Sequence, residues 1–465
     1  MGDGGGGGAT GRARLGFFAI CLAYCAIILD ASVLNVAVPA IRAGLGTSMA
    51  GAQWVIDAYT LPLAALLLTA GALGDRIGLR RLLLGGIAVF TVASAACAAA
   101  PGPGALIAAR AVQGVGAAAL LPATLAMIPY LFPAASGQAR AAVTWVAAGA
   151  VAVALGPLTG GVLIGAFGWR SIFLINLPIG VVSVGLIAVS VTETPRRAAP
   201  MDHAGQAAAV AALGLLTAAL ILGGAAGWGD PVTLGALAAA IAAGAGFWWW
   251  ERRARHPLVP PSFFTDRART VAIASAGLMG FAFYGTLFVT SLYFQQLRGL
   301  SPAAAGAALL PLTAGSAIGP LLLYRPLARR YGHPPLLLAG FVCCAAGTAT
   351  LAWLGPRTSY AVAATGLLLT GAASTIAFSA LTSLLMSSVA TGQAGLGSGL
   401  QNTTRQSGAL IAISVLGSVL SPGLAGGRLT AAFVLIGLAA LAGVTAGLLA
   451  VRQPQVDDLA SSTYG

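Results

Sequence analysis

The chain has 465 residues, of which 58% are hydrophobic and only 8% charged, and its mean hydropathy is +0.91. A soluble domain carries about 25% charged residues, so this composition excludes a soluble globular protein and indicates a polytopic membrane protein. The net charge is +13 and all 24 basic residues are arginine; without lysine, the phosphate-binding GxxxxGK(S/T) loop of an ATP-driven pump cannot be built.

Taken in chain order, residues 1–14 are Gly-rich, carry Arg12 and Arg14, and read as a disordered cytoplasmic tail. The apolar run that follows, up to Arg42, contains a single charge, Asp30, within ILDASVLNVAVP. Crossing the hydrocarbon core takes about 20 helical residues, and a carboxylate inside such a run marks a functional site by default. The run is too long for a signal-peptide core and further spans follow it, so it is expected to be retained. Spans are expected at 15–38, 50–72, 82–100, 104–128, 139–164 and 171–192, then at 204–226 and 232–250. Six more follow at 270–294, 302–324, 335–354, 359–386, 394–420 and 428–451, making fourteen.

With the N-terminus inside, seventeen arginines fall in cytoplasmic segments and five on the opposite side: Arg42, Arg170, Arg298, Arg357 and Arg428. That asymmetry is the positive-inside pattern and puts both termini in the cytoplasm. It also removes nucleic acid as a partner, because no basic block stands on a soluble domain. Five cysteines (Cys21, Cys25, Cys97, Cys343, Cys344) lie in apolar runs and three histidines (His203, His256, His333) in loops. Neither set suggests a metal site, and no cofactor is expected.

LGDRIGLRRLLLGG (Leu73–Gly86) is matched 254 residues later by LARRYGHPPLLLAG (Leu327–Gly340). Both lie between the second and third span of a six-span group, so the chain divides into two homologous halves. The expected organisation is a tail 1–14, a six-helix bundle 15–192, an inserted helix pair 204–250, a second six-helix bundle 270–451 and a cytoplasmic tail 452–465. Parallel repeats of this kind typify transporters whose substrate site lies at the midplane between the halves.

Four ionisable residues stand inside spans: Asp30, Asp57, Arg110 and Arg405. At 1.5 Å per residue the first three lie about 9–13 Å below the outer boundary, a matched depth that suggests one polar pocket. There an arginine favours the ionised carboxylate and burial the neutral one, the balance a proton relay requires. A static ion pair is compatible with the same spacing. The second half has no acid between Asp266 and Asp457, but Arg405 stands in the polar patch Gln401-Asn402-Thr403-Thr404-Arg405-Gln406. That patch either lines the cavity or marks a misplaced helix start. Asn35 and Gln113 are further polar candidates for the cavity wall, together with Gln401, Asn402 and Arg405. Trp54, Tyr59, Phe283, Tyr284, Phe288, Tyr293 and Phe294 are either aromatic walls for lipophilic cations or interface anchors. Gly149, Gly156, Pro157, Gly160 and Gly161 put small residues and a proline on one helix, where helices can approach closely.

Six stretches in order resemble the major facilitator superfamily, and within it the fourteen-span drug:proton antiporter branch of the EmrB/QacA type. GALGDRIGLRR (Gly71–Arg81) is similar to the loop signature GxLaDrxGrk, and LIAARAVQGVGAA (Leu106–Ala118) to lxxxRxxqGxgaa. LGPLTGG (Leu155–Gly161) is similar to the antiporter signature GPxxGG, and ILDASVLNVAVPAI to LDxTvvNVALP. GWRSIFLINLPIG (Gly168–Gly180) and GLGSGLQNTTRQSGA (Gly395–Ala409) also look like this branch, so that the similarity runs from about residue 15 to 450.

The resemblance implies a gating loop of Gly71, Asp75, Arg76, Gly78, Arg80 and Arg81, with Leu79 where a basic residue is usual. It implies proton coupling at Arg110 and coupling or cation recognition at Asp30. QWVIDAY (Gln53–Tyr59) resembles quaternary-ammonium exporters, which also carry an aspartate at the place of Asp57. The expected protein is a functional monomer in the cell membrane that exports hydrophobic, cationic drugs or antibiotics in exchange for protons. A dedicated exporter of one metabolite or natural product is the alternative within transport; a non-transporting membrane receptor or scaffold is the alternative outside it. An enzyme is disfavoured, since no span carries histidine and no helix carries paired carboxylates.

Overall fold

A computed structural model describes residues 6–196, 201–389, 394–425 and 427–451. Among them the first six long helices are α1 (Gly6–Leu45), α2 (Met49–Ile77), α3 (Leu79–Ala99), α4 (Pro103–Ala126), α5 (Ala135–Phe167) and α6 (Asn176–Ser190). An adjoining pair follows, α7 (His203–Ala226) and α8 (Pro231–Glu251), and then α9 (Arg267–Leu292). The next, α10, is a broken run of Pro302–Ala308, Leu310–Ile318, Gly319–Tyr324 and Arg325–Tyr331. The last are α11 (His333–Leu351), α12 (Tyr360–Ser388), α13 (Ala394–Leu420) and α14 (Arg428–Val451). An all-helical outcome follows from the solvent: in lipid a backbone must satisfy its own polar groups, which a helix does within one segment.

Twelve of these helices, with α6 counted from Ser171, are long and apolar enough to cross a membrane, and α10, bent by 44°, makes thirteen if counted as one span. The helix α13 falls short because the polar patch 401–406 lies inside it. That patch is therefore mid-helix sequence rather than a misplaced helix start. The N-terminal reading also needs correction: α1 already begins at Gly6, so residues 6–14 are helical where a disordered tail was expected. Extending an existing helix costs far less than nucleating one, and Ala9, Arg12, Ala13 and Arg14 allow it. The expected tail 452–465 lies outside the described residues.

The turns follow from local chemistry. Gly78 takes φ +96° and its N–H bonds Gly74 O at 2.9 Å, which ends α2 and lets α3 start at once. Asp230 caps α8 through the Val232 and Thr233 N–H groups, Asp266 caps α9 through Arg269 N–H, and Ser301 caps α10 through Ala304 N–H.

In the first half α1 packs on α5 and α6, α2 on α4, and α3 on α4 and α6. In the second half α9 packs on α12, α13 and α14, α11 on α12 and α14, and α10 on α12. Between the halves α2 lies along α13, and α5 lies along α10. The crossing of α5 and α10 is a backbone contact, since a Cβ at Gly161 would strike Pro302 and Ala303, and one at Gly306 would strike Pro157. The inserted helix α7 packs on both α2 and α13, while α8 packs on α7.

Buried apolar residues form three clusters, and their distribution positions the site. One cluster draws on both halves, from Val33–Ile56, Ile164–Phe173, Ala282–Leu312 and Ala412–Ala440. It lies at the end of the molecule where α1 finishes and α2 begins. The other two belong to single halves: one runs from Ala19 to Val191, the other from Phe263 to Leu400. Among the described residues, only Leu68 of α2 crosses over to pack against the latter. The halves thus share a core at one end and keep separate cores at the other.

Candidate functional site

Arg110 on α4 is fully buried and its Nη1 lies 2.5 Å from Asp30 Oδ2 on α1, itself 3% exposed. The helical register places Gln113 one turn beyond Arg110 on the same face. Gln113 Oε1 accepts from Arg110 Nη1 at 2.7 Å, and its Nε2 donates to Asp30 Oδ1 at 3.0 Å and to Ser94 Oγ on α3 at 2.8 Å. Asn176 at the start of α6 donates from Nδ2 to the same Asp30 oxygen at 2.8 Å. Asp30 therefore accepts from an arginine and two amides, an arrangement suited to an ionised carboxylate. Arg110 also donates from Nε to Val55 O at 3.2 Å, and its guanidinium lies 4.1 Å above the Tyr59 ring. Chemically the cluster is a charge-compensated pair whose protonation on Asp30 would leave the guanidinium without an anion.

The expected triad is not formed, because Asp57 faces elsewhere. Residues two apart on a helix point to opposite sides: Val55 and Tyr59 of α2 meet Arg110, whereas Asp57 between them meets α13. It is completely buried there, and Oδ2 accepts from Ser414 Oγ at 2.8 Å. No cation among the described residues pairs with it, and Oδ1 has no partner. Gln53, one turn earlier, donates to Ile413 O at 3.2 Å and Ser414 O at 2.9 Å. Further bonds join the halves at this end: Ser291 Oγ to Asn35 O at 2.8 Å, Gln295 Nε2 to Val36 O at 3.0 Å, and Thr313 Oγ1 to Ala154 O at 3.3 Å.

Between the halves lies a cavity of about 20 Å³ lined by Asn35, Tyr59, Thr60, Arg110, Tyr284 and Gln406, with apolar residues of α1, α2 and α13. Of the expected wall residues, Asn35, Tyr59 and Tyr284 are there. Gln113 stands behind Arg110 and does not reach it. Trp54, Gln401, Asn402 and Arg405 do not line it either. Gln401 is turned to α12, donating to Thr382 Oγ1 at 2.6 Å, and Asn402 bonds Ser398 O at 3.0 Å. Arg405 stacks 5.1 Å over Phe378 and donates to Asn402 Oδ1 at 3.3 Å, with no acidic partner among the described residues. Phe288, Tyr293 and Phe294 are no cavity wall: all three are buried in the shared core.

The loop residues are held by the end of α6. Arg81 Nε lies 3.5 Å from Glu193 Oε2, Arg80 N–H donates to Glu193 Oε1 at 3.2 Å, and Leu79 N–H donates to Thr194 Oγ1 at 2.9 Å. Gly78 adjoins Glu193, where a Cβ would collide with the carboxylate. Arg76 contacts Met201 Sδ at 3.7 Å; Asp75 and Gly71 are exposed. On α5, Gly149 backs the Tyr24 ring, while Gly156 and Gly160 receive Ser32 and Val33 of α1. Pro157 is accommodated within the continuous α5, and its carbonyl lies against Gly306 of α10.

Four polar partners went unrecognised in the sequence: Asn176, Ser94, Gln53 and Ser414. Asn176 and Gln53 stood in quoted motifs and are amides in apolar runs, a usable signal. Ser94 and Ser414 carry none, since a serine can satisfy itself on its own helix.

With this geometry in place, comparison with known proteins is informative. The model of the Major Facilitator Superfamily matches residues 20–413. The chain belongs to that superfamily. It is 36% identical over 397 residues to the multidrug resistance protein Stp of Mycobacterium tuberculosis (strain CDC 1551 / Oshkosh), covering 85% of this chain and 73% of that one. It is 34% identical over 402 residues to the methylenomycin A resistance protein of Streptomyces coelicolor, covering 86% and 84%. To the tetracenomycin C resistance and export protein of Streptomyces glaucescens it is 32% identical over 421 residues, covering 89% and 77%. In fold it is similar to a POT family peptide transporter crystallised with sulfate, with a TM-score of 0.67 at 16% identity, covering 94% of this chain and 93% of that one. The protein is thus a multi-pass membrane transporter rather than an enzyme.

Proposed function

We propose that this protein exports small lipophilic drugs or antibiotics across the cell membrane, by alternating access and in exchange for protons. The observation that carries this reading is the buried Asp30–Arg110 pair, set beside a cavity between two halves that share a core at one end only. Intramembrane carboxylates of this kind serve proton relays, and a one-ended shared core is what a rocking pair of bundles requires. Relatives named for multidrug resistance and for antibiotic export support the substrate class.

In the full scheme the chain has fourteen spans, counting α10 and α13, with both termini cytoplasmic, as in the drug:proton antiporter branch. The bundles are 15–192 and 270–451, α7 and α8 form the inserted pair, and the monomer works without a cofactor. The arginine asymmetry supports putting the sealed end outside, so the arrangement is closed outward. Protonation of Asp30 or Asp57 from outside favours substrate release, and deprotonation inside resets the site.

The test is reconstitution in liposomes with a pH-sensitive dye inside. Substrate-dependent proton flux is expected from the wild-type protein, and Asp30→Asn should abolish it. Full proton-coupled efflux by Asp30→Asn would remove Asp30 from the mechanism; absence of flux in the wild type would remove proton coupling altogether. A dedicated exporter of one natural product is the second reading, favoured by the relatives named for single antibiotics. Efflux of several unrelated dyes separates the two.

A further inference from the structure

The inserted helix α7 is bonded to a different half of the molecule at each end. In its first turn Gln206 Nε2 donates to Ala65 O of α2 at 2.9 Å, and Thr69 Oγ1, one turn further along α2, donates to Gln206 Oε1. Towards its other end the Ser418 hydroxyl of α13 donates to Leu220 O. There the two helices touch through main chain, since a Cβ at Gly224 would strike Ser418. Gln206 and Ser418 are both buried. The two anchors lie about 21 Å apart along α7 at 1.5 Å per residue, so the helix spans the seam between α2 and α13.

Ser418 stands one turn beyond Ser414, whose hydroxyl holds Asp57 of α2. The α13 anchor therefore sits at the sealed end, beside the bonds that close it. Between the anchors α7 is unbroken and contains no proline, the commonest cause of a kink. It is also braced. α8 packs against it, and Trp250 Nε1 donates at 2.9 Å to Asp202, the N-cap of α7. A stiff helix tied to both halves cannot follow α2 and α13 when they part at the sealed end. One anchor has to let go.

We propose that Gln206 and Ser418 are positioning residues that make α7 a strap across the α2–α13 seam, holding the sealed end shut until one anchor releases. The inference rests on the alternating-access reading given above. It carries an energetic signature. Because opening needs only one anchor to break, loss of either frees the seam, and loss of the second adds nothing. Two ordinary packing contacts this far apart would instead act independently, and their free energies would add.

The experiment measures opening of the sealed end by the distance between two spin labels in detergent. With the native cysteines replaced, Ala43→Cys at the end of α1 and Arg357→Cys before α12 put exposed labels on the two halves. The ratio of long to short distances is compared in the wild type, Gln206→Leu, Ser418→Ala and the double variant. Each single change should raise that ratio about fivefold, the weight of one net hydrogen bond, and the double variant should show the same rise. A rise of about twenty-five-fold in the double variant, or none in the single ones, overturns the strap. Thr69→Val removes the same anchor from the α2 side and repeats the cycle, with the same outcomes, where Gln206→Leu gives no folded protein. Thr217→Val on α7, whose hydroxyl bonds Leu213 O of its own helix at 2.8 Å, is the control. It should match the wild type, and an equal rise there would assign the effect to general packing of α7 and overturn the proposal. One fixed distance in every background, in acidic and alkaline buffer alike, would overturn alternating access itself. Two distances with independent effects would overturn the strap alone.

Discussion

The Ser414 hydroxyl on α13 donates to the Asp57 carboxyl on α2 at 2.8 Å, across the line where the two halves meet. Asp57 is completely buried and meets no cation among the described residues, so its charge state and the closure of the seam are tied together: a bare buried carboxylate is expensive. Ser414→Ala removes the donor and should cost about 1–3 kcal/mol of stability. In an Asp57→Asn background the same change should cost less, because no carboxylate waits for that donor. Thermal unfolding of the four proteins in detergent gives the coupling energy; a value near zero contradicts the bond.

Asp30 is the sole anion among the described residues bonded to the Arg110 guanidinium. Asp30→Asn strands a buried cation, which should destabilise the fold by about 3–5 kcal/mol. Asp30→Asn combined with Arg110→Gln should recover much of that stability without restoring transport. A double variant no more stable than the single one would mean that the pair is not what compensates Arg110.

The contact of α5 with α10 has no room for a side chain at Gly161 or Gly306. Gly161→Val and Gly306→Val are expected to reduce the yield of monodisperse protein on size-exclusion chromatography. Gly165→Ala on the same helix, with nothing within 4 Å of a new Cβ, is the control and should behave like the wild type.

The seam can also be probed by access. Gln53→Leu removes both bonds to the Ile413 and Ser414 carbonyls. With native cysteines replaced and Ile413→Cys introduced, labelling by a membrane-impermeant maleimide added outside should rise several-fold in Gln53→Leu. Unchanged outside labelling with a rise from the inside would reverse the sidedness proposed above.

Where hydropathy decides, the sequence is readable: helices occupy each apolar run, and of the three charges expected in one pocket at matched depth, Asp30 and Arg110 meet while Asp57 does not. Depth along a helix could be estimated from residue counts, but azimuth could not. Asp57 was placed with Arg110 because both lie at one level, although Val55 and Tyr59 already occupied the face of α2 that meets it. Gln401 and Asn402 misled in the same way, being polar at cavity depth yet turned to α12 and to their own helix. Ser94 and Ser414 were invisible because a hydroxyl in an apolar run costs little and says nothing about its partner. Arg405 is a cation whose neighbours are an aromatic ring and an amide.

At the sealed end, Gln53, Ser291, Gln295 and Thr313 all bond main-chain carbonyls of the opposite half. A carbonyl is present whatever residue carries it. Val36, Ala154 and Ile413 can therefore drift under selection for a new cargo without unfastening the closure, provided their helices stay in register. The four donors have no such latitude. A transporter that must keep changing what it expels can vary one side of its lock while the other stays constant.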